Sequence, residues 1–363
     1  MFPFRSQWGR LEFALSEGGR TCSIMAKSRF AVRVALTTLV VLTLSAPVFA
    51  AGRLALMSAC RQDYRKLCSD VPMGGGRVAA CLNDHRNELS PACRDAVSGG
   101  ETTAGRAVAE PTAARRDIAY GPDAAQRLDV YTPAGAAKAP VIVMMHGGAW
   151  ALGSKTSHSI VDAKVAHWLP RGYVFVSVET RLLPAANPVE QARDLAAAVA
   201  YVQKHAAEWG GDGARVVLMG HSAGAHLAAL LAADPSLGAK SGLRAVLGTV
   251  ALDSAAYDVT QIMNARHLGL YDRAFGSDPA FWRTASPSQQ VRGKPAPALL
   301  VCSSRRRDSC DQAEGFAATL KRAGGRATVL PQNLSHMDIN AQLGKDGAYT
   351  AAVDKFLASL GLP

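Results

Sequence analysis

The sequence contains no cysteines spaced Cys-x2-Cys, no glycine-rich phosphate loop, no sustained heptads and no internal repeat. Each absence removes a class of protein. Without close thiol pairs a structural zinc site lacks its common scaffold. Without the glycine loop there is no turn to cradle a nucleotide phosphate. Without heptads or repeats, neither a coiled coil nor a solenoid fits. Charge of one sign is also in modest supply: 40 Lys and Arg stand against 29 Asp and Glu, a formal net charge of +11. Six basic and two acidic residues fall in the first 50, so the remainder carries a mild +7. With no basic and aromatic recognition motif, that excess does not support a nucleic-acid partner.

What is present is length and apolar content. A chain of 363 residues, 48% of them hydrophobic, can fill a large core, and two folded units behind a removable leader are expected. The leader has basic residues at Lys27, Arg29 and Arg33, an apolar run over 34–46, and Val48-Phe49-Ala50, which suits cleavage after Ala50. Met25 is the expected initiator, with residues 1–24 an over-extended start. The run falls short of the ~20 apolar residues that span a bilayer. Membrane contact is therefore expected only through an uncleaved leader, and the mature chain is expected to be secreted or periplasmic.

Loss of residues 1–50 removes Cys22 and leaves six cysteines, an even number that suits an oxidising compartment. Cys60, Cys68, Cys81 and Cys93 fall in a small segment, residues 54–97, and four cysteines allow three connectivities. Helical patterning over 54–67 and 77–83 around a turn at 72–76 suggests antiparallel packing, which would join Cys68 to Cys81 and Cys60 to Cys93. So small a unit needs its crosslinks, worth ~2–4 kcal/mol each. A metal site on the same cysteines is the alternative. Residues 98–115 lack a steady period and read as a linker, and the larger unit runs over 116–363.

In that larger unit an apolar run, 215–219, ends in Gly220-His221-Ser222-Ala223-Gly224, and an alanine-rich helical stretch follows over 223–233. Strand, tight turn and helix is the setting a nucleophilic serine requires, because the hydroxyl must stand clear of the sheet where an imidazole can take its proton. Upstream, the buried-strand pattern 140–145 ends in His146-Gly147-Gly148-Ala149-Trp150. Glycines there let backbone N–H groups approach a substrate oxygen, so Gly147, Gly148 and Ala223 are the expected oxyanion donors. His146 and His221 are expected to shape these turns.

The acid and base should follow the serine in chain order. The strand pattern 298–302 leads to Asp308 and then to a helical pattern over 312–323. The strand pattern 327–331 leads to His336. Asp308 is the expected acid, with Asp311 on the same loop as its rival and Asp253 and Asp258, behind an earlier strand, after them. His336, the one histidine that follows both candidates, is the expected base. Loops at the carboxyl ends of parallel strands converge on one edge of a sheet, so Ser222, Asp308 and His336 could meet. A Cys302–Cys310 bridge would stiffen the loop carrying Asp308. Arg305-Arg306-Arg307 is expected to be a solvated run, or else to steer anionic substrates. Residues 254–282 are expected to build part of the pocket wall, with Tyr257, Tyr271, Phe281 and Trp282 as candidates.

These residues together resemble the α/β-hydrolase superfamily, and within it the esterases and lipases with a His-Gly-Gly oxyanion loop, including feruloyl-esterase-like and arylformamidase-like branches. The matching stretches are 129–133, 146–150, 181–184, 220–224 and 335–336. The resemblance implies an α/β fold with a mostly parallel, doubly wound sheet and serine-based cleavage of carboxylic esters without a cofactor or metal. An arylformamidase or carbohydrate deacetylase would use the same residues. The cysteine segment resembles the repeat of Golgi-type cysteine-rich proteins, through Gly75-Gly76-Arg77-Val78-Ala79-Ala80-Cys81-Leu82 and Leu89-Ser90-Pro91-Ala92-Cys93. The expected partner is a small-molecule or polymer-borne ester, with contact to an envelope or wall polymer assigned to the cysteine-rich unit. A reading of another class makes that unit the working part, a binding module beside an idle hydrolase domain.

Overall fold

A computed structural model describes residues 60–69, 71, 81–82, 85, 88–98 and 115–363. The expected leader, the expected turn at 72–76 and most of the expected linker lie outside the described residues. The chain divides into two compact units, Met1–Gly105 and Arg106–Pro363.

In the smaller unit, helix α1 (Arg61–Leu67) lies between Cys60 and Cys68, and helix α2 (Pro91–Ser98) carries Cys93. The bridges are Cys60–Cys93 and Cys68–Cys81, the nested pairing that antiparallel packing suggested. Around them Leu82 and Leu89 complete a small buried cluster. Buried Asp63 accepts hydrogen bonds from the Ser90 N–H at 2.8 Å and the Ser90 Oγ at 2.7 Å, which ties α1 to the start of α2.

The larger unit is built on one eight-stranded sheet. Its strands are β1 (Arg115–Ala119), β2 (Arg127–Tyr131), β3 (Ala139–Met145), β4 (Val174–Val178), β5 (Gly211–His221), β6 (Gly248–Leu252), β7 (Ala298–Ser303) and β8 (Ala327–Gln332), in the order β1-β2-β4-β3-β5-β6-β7-β8. β1 and β2 run antiparallel to their neighbours, and every pair from β4 to β8 is parallel. Central strands are wholly buried, as their unbroken apolar runs require when helices cover both faces. Those helices are α3 (His158–Trp168), α4 (Pro188–His205), α5 (Ala223–Ala233), α6 (Val259–Met263), α7 (Gly269–Phe275), α8 (Pro279–Thr284), α9 (Ser309–Arg322), α10 (His336–Gln342) and α11 (Ala348–Ala358).

Two large apolar clusters result. One gathers Val141, Val143, Leu195, Val199, Leu218 and Leu227 with α4 and α5; the other gathers Ile142, Met144, Trp168, Phe175, Val217 and Val353 with α3 and α11. Alternate residues of β3 thus feed opposite layers, the period-2 consequence of a pleated strand. The sheet is the mostly parallel, doubly wound one that the sequence implied.

Register places the site. His221 pairs with Leu252, Leu252 with Val301, and Val301 with Leu330. This single row crosses four strands at their carboxyl ends. The next residues along the chain are Ser222, Asp253, Cys302 and Pro331, so the loops that leave these strands open onto one rim.

Candidate active site

Ser222 occupies the turn between β5 and α5 with φ 56° and ψ −117°, a left-handed conformation that non-glycine residues seldom adopt. Its N–H donates to the Leu252 carbonyl at 2.9 Å. The two motif glycines are required by space. A Cβ on Gly220 would come within 2.3 Å of the Gly224 carbonyl oxygen, and one on Gly224 within 2.3 Å of the His146 carbonyl oxygen. Strand, elbow and oxyanion loop are therefore in backbone contact.

His336 begins α10. Ser335 caps that helix, its Oγ accepting from the Asp338 N–H at 3.2 Å and donating to Asp338 Oδ2 at 2.6 Å. The ring reaches Ser222: His336 Nε2 lies 2.9 Å from Ser222 Oγ. Its other nitrogen, Nδ1, lies 2.6 Å from Asp253 Oδ2. A carboxylate only accepts, so Nδ1 carries the proton donated to Asp253, which leaves Nε2 to accept from the serine hydroxyl.

The acid at the imidazole is thus Asp253, and the expectation of Asp308 is corrected. Asp308 is exposed, precedes α9 as its N-cap residue, and makes no side-chain capping bond. Asp311 follows in the first turn of α9, and Asp258 caps α6 by accepting from the Gln261 N–H. Chain order does not separate the candidates, because Asp253 also lies between Ser222 and His336. What selects Asp253 is the row of paired residues described above, which brings the end of β6 next to the elbow. One signal was available in the sequence: the apolar run ending at Leu252 is followed at once by an acid, just as β5 is followed by the serine.

Asp253 is fully buried and has φ 56°. Its Oδ1 accepts from the Ser303 N–H at 2.6 Å and from the Ser309 Oγ, and its Oδ2 accepts from Arg306 Nη1 at 2.8 Å as well as from His336. Burial alone would raise its carboxyl, but the hydrogen bonds from His336 and Ser309 and the Arg306 charge prevail and hold it well below the usual carboxylate range. It stays ionised wherever the protein is folded near neutrality.

The run 305–307 divides its labour. Arg305 Nε donates to Asn333 Oδ1 at 2.8 Å, Arg306 turns inward to Asp253, and Arg307 is exposed. Cys302 and Cys310 form a disulfide across the same loop, as expected, although the acid it was expected to steady lies elsewhere.

On the oxyanion side, Gly147 lies so close to the elbow that a Cβ there would sit 3.0 Å from that of Ser222, and Ala223 directly follows the serine. Gly148 has φ 132°, and Ala149 and Trp150 also have positive φ. Buried contacts hold this strained segment. His146 Nε2 lies 2.7 Å from Glu179 Oε1, Trp150 Nε1 donates to His226 Nδ1 at 3.1 Å, and the Trp150 carbonyl accepts from Gln191 Nε2 at 2.9 Å. His226 passes the constraint on through Nε2 to the Ala285 carbonyl at 2.8 Å, and its burial pushes its imidazolium down to about 4, consistent with the neutral ring that this pattern requires. His221 donates from Nε2 to the His336 carbonyl at 3.0 Å, and burial pushes it down to about 3. It is a neutral brace behind the base.

A cleft of about 520 Å³ adjoins the site, lined by Gln261, Leu268, Tyr271, Arg306, Arg307 and Asp311 among others. Arg306 belongs both to its wall and to the acid–base pair. Of the expected wall aromatics, Tyr271 lines the cleft, whereas Tyr257 is fully buried and stacks on Phe316 at 5.0 Å. Phe281 and Trp282 pack against the core. A second cavity of about 360 Å³ opens at the amino ends of β7 and β8, away from this rim.

Comparison with known proteins agrees with this architecture. Residues 54–90 match the model of the cysteine rich repeat. A probable isoprenylcysteine alpha-carbonyl methylesterase of Arabidopsis thaliana is 28% identical over 63% of this chain and 52% of its own length. The esterase LipC of Mycobacterium tuberculosis is 29% identical over 59% of this chain and 57% of its own. The chain thus spans little more than half the length of these relatives. Among solved structures, esterase 2 of Thermogutta terrifontis shares the fold with a TM-score of 0.58 at 24% identity, covering 70% of this chain and 98% of that one. The hyperthermophilic esterase of Pyrobaculum calidifontis gives 0.54 at 25% identity, over 64% and 80%. Residues 128–310, just over half of the 363, match the BD-FAE family model and include both the oxyanion loop and the serine elbow. The chain belongs to the BD-FAE family of α/β-hydrolases.

Proposed function

We propose that the chain is an exported serine hydrolase that cleaves carboxylic esters through an acyl-enzyme. The observation that carries this reading is the continuous relay from Ser222 Oγ to His336 Nε2 at 2.9 Å and from His336 Nδ1 to Asp253 at 2.6 Å. Ser222 Oγ attacks the ester carbonyl as His336 Nε2 takes its proton. The tetrahedral oxyanion rests on the N–H groups of Gly147, Gly148 and Ala223, and the imidazolium rests on Asp253. Collapse breaks the bond to the alcohol, which leaves with the proton from Nε2. Water, deprotonated by the same nitrogen, then attacks the acyl carbon and releases the acid and Ser222.

Support for an ester rather than another acyl substrate comes from the relatives, which carry the names of esterases. Export is supported by the composition of the leader and by three disulfides, bonds that persist in oxidising compartments. The test is labelling of the purified mature protein with a fluorophosphonate, together with turnover of acetyl, feruloyl, formyl-aryl and longer acyl substrates. Labelling at Ser222, ester turnover, and loss of both in Ser222→Ala are expected. A protein that neither labels nor turns over any ester would overturn the reading.

A further inference from the structure

Among the described residues, every donor to Asp253 except His336 comes from one short stretch, residues 303–309. Ser303 supplies its N–H, Arg306 its guanidinium and Ser309 its hydroxyl, and Arg306 Nη1 also donates to the Asp253 main-chain carbonyl at 3.0 Å. The acid itself is carried by β6, whereas the loop joins β7 to α9. Its two ends are tied by the Cys302–Cys310 disulfide, with Cys302 fully buried at the end of β7 and Cys310 in the first turn of α9. The bridge therefore encloses all three donor residues.

Arg306 has a particular place among them. Its Nη1 shares Asp253 Oδ2 with His336 and lies 3.0 Å from His336 Nδ1. Since Nδ1 already donates to Asp253, that last approach sets a cation beside the ring rather than adding a hydrogen bond. With two donors on each oxygen, the carboxylate cannot turn about its own axis without losing several bonds at once. Its buried charge is also partly offset without displacing the imidazole.

We infer that Arg306 is a positioning residue for the Asp253–His336 pair, and that the disulfide-closed loop of residues 303–309 is the clamp that sets it. The kinetic consequences rest on the serine-esterase reading above; the geometry of the clamp does not. Without the guanidinium the carboxylate keeps Ser303, Ser309 and His336 but loses the second donor on Oδ2, so the oxygen that faces the imidazole, and with it the ring's tautomer and direction, is held less firmly. The loss falls on the chemical step more than on substrate binding. Opening the disulfide acts through the same contact, so the two changes are not independent.

The experiment compares the full mature chain with Arg306→Gln, Arg306→Lys, the pair Cys302→Ala with Cys310→Ser, and the combination of that pair with Arg306→Gln. Arg305→Gln, which removes the neighbouring surface cation, serves as control. Arg306→Gln is expected to lower kcat at least tenfold with KM within twofold. Arg306→Lys should recover much of the loss, because an ammonium can still reach Oδ2. The cysteine pair should lower kcat by a similar factor, and the combined variant should be less than threefold slower than either parent. Retention of kcat within twofold in Arg306→Gln, or losses that multiply in the combined variant, would overturn the inference. The downfield proton resonance of His336 Nδ1–H gives a readout that needs no substrate, and it also serves if the cysteine variant does not fold. A shift or broadening of that resonance in Arg306→Gln, but not in Arg305→Gln, is expected even if the protein turned over no ester. An unchanged resonance would remove the clamp whatever the activity.

Discussion

Asp253 and Asp308 are 55 positions apart in the chain, yet both belong to loops at the same sheet edge, and only one touches the imidazole. Removing the right one has a large, specific cost. Asp253→Asn keeps the shape but cannot hold the Nδ1 tautomer, and a loss in kcat on the order of 10³ to 10⁴ is expected. Asp308→Asn should stay within about twofold, since its carboxylate makes no hydrogen bond at the site; steady-state kinetics on the best ester of the panel would decide between them. At this scale the serine, the histidine and the glycine turns were legible, because each sits in a local pattern of strand, turn and helix. The acid was legible only in part: an acid directly after an apolar run made Asp253 a candidate, but the choice of it over Asp308 depends on which strands are neighbours. Gly224 is the residue where local and long-range demands coincide. Gly224→Ala would drive a methyl to within 2.3 Å of the His146 carbonyl oxygen and 2.4 Å of that of Met145, neither of which can yield as a side chain would. A loss of about 3 kcal/mol in unfolding free energy, read by denaturant titration, is expected, together with lost fluorophosphonate labelling.

Two buried lysines show how elements are joined beneath the site. Lys155 pairs with Asp129 at 2.8 Å and Asp117 at 2.7 Å, and although burial opposes its charge, the hydrogen bonds to both carboxylates keep it protonated, above its ordinary value. Lys164 on α3 is the opposite case. It is fully buried, and its Nζ donates to the carbonyls of Ser159 at 3.0 Å and of Asn340 at 2.8 Å, with no carboxylate among these partners. Asn340 belongs to α10, the helix that begins with His336, so this amine fastens the base's helix to its neighbour. Burial pushes Lys164 down to about 7. Between that value and the ordinary value of about 10.4, the unfolded chain holds a proton that the folded chain does not. Unfolding free energy therefore rises with pH across this window, by at most about 1.4 kcal/mol per unit. Below pH 7 the buried cation imposes its full cost. Lys164→Met should melt higher than the parent at pH 6, with the difference shrinking or reversing by pH 10; parallel melting curves at all pH values would contradict the assignment. The helix and strand positions themselves followed from apolar periodicity, and α5 over Ala223–Ala233 and β8 from Ala327 begin where the patterning placed them. The short helices α6, α7 and α8 between β6 and β7 were not resolved as separate elements, since five to seven residues give too few turns for a 3.6-residue period to emerge.

At the scale of the whole molecule, two units obey different physics. The larger one buries two apolar layers on a single sheet, whereas the smaller relies on bridges around a handful of side chains, Leu82 and Leu89 among them. Cys60→Ala with Cys93→Ala should remove about 2 to 5 kcal/mol from the smaller unit and abolish its folded amide resonances, while the melting transition of the larger unit stays in place. A loss of both transitions would show that the units do not fold separately. The residues alone determined the class of fold, because unbroken apolar runs alternating with amphipathic stretches can bury themselves only as a parallel sheet between helices. They also marked out Ser222, His336 and the glycine turns, whose steric and chemical requirements act within a few residues. Tertiary structure alone decided which carboxylate faces His336 and that Arg306 turns inward to hold it. Both depend on the register of β5, β6 and β7, and register is set by packing across the whole sheet, a sum over many distant contacts that no short segment records.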